Sequence, residues 1–123
     1  MKKLPAVIIW LFLLSPVRGE EVAPLPPPPS RLLAPADNAV VSGPISDQEV
    51  IWSIVETVRS YHLEVAADRK FYRVIRDIYP EDNRYFFDRI PPGSYYWRVS
   101  SVSSRGLEGR AGPVGYFTYT DSD

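Results

Sequence analysis

Tyr61, Leu63, Val65 and Ala67 recur at every second position, with His62 and Glu64 between them. Successive side chains of a strand point to opposite faces, so this spacing makes one apolar and one polar face. A helix would scatter the same residues around its circumference. The Glu, Arg and Ala residues of 50–77 therefore do not argue for a helix there. Further β-branched and aromatic runs cover 32–33, 39–42, 49–55, 60–67, 71–79, 84–90, 94–103 and 112–120. Turn formers separate them, among them Pro35-Ala36-Asp37-Asn38, Gly43-Pro44 and Pro80-Glu81-Asp82-Asn83. Short strands repeating about every 8–12 residues mark an all-β sandwich. Val50, Trp52 and Ile54 are expected on one face of the third run. Val74, Ile75 and Ile78 break the alternation, which predicts a bulge or a helical turn in the fifth. The expected core is Trp52, Tyr61, Leu63, Val65, Phe87, Ile90, Tyr95, Trp97, Val99 and Phe117.

The chain has no cysteine, which excludes disulfides, thiolate metal sites and a lipidated cysteine anchor. An apolar core alone must hold the domain. About 90 residues suffice, burying roughly 60–70 % of the unfolded chain's surface.

Residues 1–19 read as a leader. Lys2 and Lys3 precede an uncharged apolar stretch, 4–17, too short to span a bilayer and interrupted by Pro5 and Pro16. Val17 and Gly19 supply small residues for cleavage after Gly19. The expectation is export to the periplasm or the medium, with no stable membrane insertion once the leader is gone. Three of the 14 Lys and Arg leave with it, so 11 face 15 Asp and Glu, a net charge of −4. That balance gives no strong pull on nucleic acid, and none is expected as a partner. Residues 20–30 hold five prolines between Pro24 and Pro29 and read as a stiff polyproline II spacer. The sandwich then spans 31–120, and 121–123 is a tail.

The stretch Tyr85-Phe86-Phe87-Asp88-Arg89-Ile90-Pro91-Pro92-Gly93-Ser94-Tyr95-Tyr96-Trp97-Arg98-Val99 resembles the corner between sheets in fibronectin type III domains. Ile90, Pro92 and Tyr96 match that corner's spacing. Inward alternation through Trp97 and Val99 selects Tyr95 instead as the buried tyrosine. In such corners the ring packs into the core and the hydroxyl returns to upstream backbone. Leu33-x-Pro35, the run Tyr61 to Asp68 with Phe71, and Arg105-Gly106-Leu107-Glu108-Gly109 resemble the bacterial variant of this domain, including the C-terminal part of FecR-like proteins. The resemblance covers about 31–120 and implies a seven-stranded fibronectin type III or immunoglobulin-like sandwich. It says almost nothing about function.

His62 is the sole histidine, and no Gly-x-Ser-x-Gly elbow accompanies it, so a serine-nucleophile enzyme is not expected. On a polar strand face it reads as a solvated residue. His62 and Glu64 share that face as two potential metal ligands, but sequence indicates no third, and zinc needs three or four. No metal site and no cofactor are therefore expected. Glu81-Asp82-Asn83 is too short for a calcium loop. Arg69, Lys70, Arg73 and Arg76, interleaved with Phe71 and Tyr72, read as a charged edge strand that discourages edge-to-edge pairing.

The loop 103–112 carries Arg105, Glu108 and Arg110 among three glycines, and these three are the candidate binding residues. Tyr96, Tyr116 and Phe86 are the exposed aromatics that would join them. The function expected is a non-enzymatic exported interaction module that binds a protein or glycan of the cell envelope. The alternative is an accessory or inhibitory subunit of an envelope enzyme or assembly.

Overall fold

The computed structural model describes residues 25–121, so the leader and its cleavage site lie outside the described residues. Eight strands are present among them, in two sheets. They are β1 (Leu32–Ala34), β2 (Ala39–Ser42), β3 (Glu49–Trp52), β4 (Val58–Ala66), β5 (Val74–Ile78), β6 (Arg84–Phe86), β7 (Gly93–Ser103) and β8 (Gly115–Thr120). One sheet has the order β1-β3-β6 and the other β2-β8-β7-β4-β5. No helix among the described residues is long and apolar enough to cross a membrane.

β1 and β2 are the two halves of one divided strand, which reconciles eight segments with a seven-stranded sandwich. β1 pairs antiparallel with β3, and β2 pairs parallel with β8. Pro35 follows β1 directly and has no N–H to extend its ladder. The chain then crosses to the other sheet. Asn38 takes a positive φ of 68°, a conformation its residue type tolerates, and its N–H donates to the Tyr116 carbonyl at 2.8 Å.

The core lies between the sheets. All ten residues expected there are buried, joined by Val50 and Tyr119. The inward positions of β4 and β7 interlock through their register, with Val65 opposite Trp97 and Leu63 opposite Val99. Tyr95 is the buried corner tyrosine, and its hydroxyl donates to the Pro91 carbonyl. Tyr96 faces outward.

Local alternation misses where a strand ends or slips. Ile54 is 70 % exposed because β3 stops at Trp52. Ala66 is buried rather than Ala67, since the β4–β5 register shifts between Val65 and Ala66. The fifth strand begins only at Val74. Phe71 lies in the preceding turn with φ 59°, covered by the Arg98 guanidinium at 4.0 Å.

Residues 27–30 do not stand clear of the domain. Pro27 runs beside Gly109, and Pro29 and Ser30 run beside Gly112, with Ser30 buried. This proline strap lies along the loop that joins β7 to β8.

Candidate functional site on the outer face of the five-stranded sheet

Strand register decides which polar side chains share the solvent face. Glu64 of β4 sits opposite Asp77 of β5 on one side and Arg98 of β7 on the other. Arg98 Nε donates to Glu64 Oε1 at 2.8 Å. Tyr96 of β7 sits opposite Tyr116 of β8. One face therefore carries two polar groupings, one around His62 and one around the tyrosine pair.

His62 lies between two carboxylates. Its Nε2 is 2.6 Å from Asp77 Oδ1, and its Nδ1 is 2.7 Å from Glu108 Oε2. The Tyr79 ring stacks on it at 4.2 Å and 10°. Only 13 % of the side chain is exposed, which corrects the expectation of a solvated histidine. The expectation that nothing joins His62 and Glu64 is corrected too. Pairing of β4 with β5 supplies Asp77, and the 103–112 loop supplies Glu108. A neutral imidazole has one N–H, so two carboxylate partners call for the imidazolium. Burial works against the charged ring, but the hydrogen bonds and charges of Glu108 and Asp77 outweigh it. The His62 pKa is raised above its ordinary 6.5.

The raised pKa ties the stability of the fold to pH. A histidine with a raised folded pKa stabilises the fold fully below 6.5, and the contribution is lost as pH rises through the folded value. Glu64, Asp77, Glu108, Tyr79 and Arg98 are the charged or titratable groups around the ring. Urea denaturation in chelator-containing buffer should show stability falling from pH 6 to pH 9 in the native chain. The His62→Gln variant should show a flatter profile over the same range. Parallel profiles would remove His62 as the source.

The second grouping is aromatic. The Tyr96 and Tyr116 rings are 4.9 Å apart, and the Arg69 guanidinium lies 5.4 Å over Tyr96. With Asp37, Asn38 and Val114 they line a shallow pocket of about 250 Å³. The Tyr116 hydroxyl donates to Ser94 Oγ at 3.1 Å.

The structure separates the three candidate binding residues. Ser103 Oγ accepts from the N–H groups of Arg105 and Leu107 and folds the loop back. Arg105 is exposed at its turn, Glu108 is committed to His62, and Arg110 lines a cavity with Pro26 to Pro29. The cations of 69–76 disperse as well. Arg69 covers Tyr96, while Arg76 binds the Tyr85 hydroxyl at 3.1 Å and Asp88 at 3.0 Å. Arg76 thus ties the edge strand to β6 and to Asp88 just beyond it rather than standing free in water. Sequence missed Asp77, Tyr79 and Arg69 as members of the face. Asp77 and Tyr79, two positions apart, were the available signal at the end of β5, and the irregular apolar pattern of that run concealed it.

No family model matches the sequence, and no curated protein does. Solved structures match the fold. An Fn3-like protein from Clostridium thermocellum has a TM-score of 0.58 at 18% identity, over 80% of this chain and 99% of its own. The fibronectin type-III domain of human fibronectin type III domain containing protein 3 has 0.54 at 19%, over 82% and 93%. CopC from Methylosinus trichosporium OB3b has 0.53 at 16%, over 76% and 96%. At such identities the likeness concerns fold alone, and it agrees with the two-sheet topology and the buried corner tyrosine: the described domain is a fibronectin type III-like sandwich.

Proposed function

We propose that the chain is an exported, non-enzymatic interaction module that binds a protein or glycan of the cell envelope through the outer face of its five-stranded sheet. The observation that carries this is the Tyr96–Tyr116 pair with Arg69 laid over Tyr96, the three lining one pocket. Tyrosine offers a large contact area with few rotatable bonds to freeze, and arginine offers several hydrogen bonds from one planar group, the chemistry favoured at binding hot spots. A binding role without turnover is supported by His62, whose two ring nitrogens are both engaged by carboxylates, Asp77 and Glu108. Export is supported by Lys2, Lys3 and the apolar 4–17.

The test is capture by the mature chain, beginning at Glu20, from envelope extract and by pelleting with cell-wall glycan. Tyr96→Ala combined with Tyr116→Ala should reduce capture at least about tenfold, the loss of one or two hot-spot side chains. Circular dichroism should stay unchanged, since both rings lie outside the core. Capture equal to the native chain would remove this face from the interface. Arg105→Ala with Arg110→Ala would then read the loop.

A further inference from the structure

We propose that the sheet face also holds a divalent-cation site, with His62 Nε2 and the carboxylates of Asp77 and Glu64 as its ligands. One donor atom from each of these residues lies within 4.8 Å of the others. They come from two adjacent strands whose register fixes them on one face, so the grouping does not depend on a loose loop.

The imidazole sits as a metal-ligating histidine does. Histidines that ligate metals nearly always donate their other ring N–H to a carboxylate or carbonyl, which fixes the tautomer and strengthens the ligating nitrogen. Glu108 occupies that position on Nδ1 at 2.7 Å. Once Nε2 gives up its proton, its lone pair faces Asp77 Oδ1, 2.6 Å away, with a Glu64 carboxylate oxygen in the same cluster. The stacked Tyr79 ring holds the imidazole plane in place. Glu108 acts as a positioning residue here, not a ligand.

Charge points the same way. Three carboxylates surround one ring, and Arg98 offsets one of them through Glu64. A proton on His62 or a dication between Nε2 and Asp77 supplies the missing positive charge, and the dication supplies more of it. On binding, the cation takes the place of the proton shared by Nε2 and Asp77, and that proton leaves to solvent. Two zinc bonds near 2.0–2.1 Å at a tetrahedral angle need Nε2 and the Asp77 oxygen about 3.3 Å apart. They are now 2.6 Å apart. Asp77 is 57 % exposed and free to open by that amount, while the better-shielded ring stays in place. One nitrogen and two oxygens suit borderline first-row divalent ions, and zinc makes the fewest geometric demands. A fourth position remains for water or for a group on a bound partner.

The experiment is calorimetric titration of the untagged full chain, stripped with chelator, with Zn2+. Saturable one-to-one binding is expected in the native chain. Asp77→Asn and His62→Gln should each abolish it, and Glu108→Gln should weaken it by about 10–100-fold. The exposed acid variant Glu56→Gln should bind as the native chain does. Chemical shifts of the imidazole nitrogens give a second readout, with Nε2 moving on Zn2+ addition. The proposal is overturned if the native chain shows no saturable one-to-one binding. It is equally overturned if Asp77→Asn, an exposed change that leaves the core intact, binds Zn2+ as tightly as the native chain. Either failure leaves the Tyr96–Tyr116 reading standing, because capture is scored on different residues.

Discussion

Trp97→Ala will lower the free energy of unfolding by about 3–5 kcal/mol, the range for emptying a buried aromatic site. Trp97 is 1 % exposed at the middle of the sandwich, 6.4 Å from the Trp52 ring and opposite Val65 in register. Gly115 shows how closely its surroundings are fitted. A Cβ there would come within 2.7 Å of the indole Nε1 and 2.8 Å of Leu32 Cδ1. The backbone of β8 thus already fills the space beside the ring, and β7 and β8 are held by their own ladder, so the cavity cannot close easily. With no disulfide to constrain the unfolded chain, a loss of that size is a large part of what a domain of this length has. Urea denaturation of native chain and variant measures it. A loss under about 1 kcal/mol would place Trp97 outside the core.

Gly109→Ala should cost about 1–3 kcal/mol, as overpacking does, through a contact the side-chain core does not contain. A methyl group at Gly109 would overlap the carbonyl oxygen of Pro27, a backbone atom of the proline strap. Backbone cannot rotate aside as a side chain does, so the strap must lift. The comparison is a chain beginning at Ser30, which lacks Pro27 and keeps the Arg31 N–H bond to Ser53 Oγ. There alanine meets no such obstacle, and its smaller unfolded-state entropy makes the change neutral or mildly stabilising. Limited proteolysis near Pro26 should quicken only in the full-length variant. An equal cost in both backgrounds would show that the glycine serves something other than the strap.

Alternation made the centre of the fold legible. Tyr61, Leu63 and Val65 on β4, and Tyr95, Trp97 and Val99 on β7, face inward because nothing interrupts the pleat between them. The choice of Tyr95 over Tyr96 came from that period, and the family spacing alone pointed to the wrong ring. Ile54 and Ala67 were misread because a strand's end and a register shift are set by partners, and a partner is not written in the local sequence. The site suffered more from this. Asp77 reaches His62 from 15 positions away and Glu108 from 46. Residue type marked His62 and Glu64 as capable of ligation. Only sheet pairing and the folded-back loop decide which acids meet them. Arg105, Glu108 and Arg110 are neighbours in sequence, yet Glu108 turns to His62 while Arg110 lies beside the proline strap.

The divided first strand also sets how the domain bears tension. β2 runs parallel to β8, from Ala39 beside Phe117 to Ser42 beside Thr120. A chain pulled at the residue entering β2 and at the residue leaving β8 is therefore pulled from opposite ends of one ladder. The force acts along the strands and loads every rung together, so none can part until all are strained. Had the two strands been antiparallel, the same pull would act at one end and open the rungs in turn like a zip. The crossing at 35–38 thus sets β2 against β8 in a shearing rather than a peeling geometry.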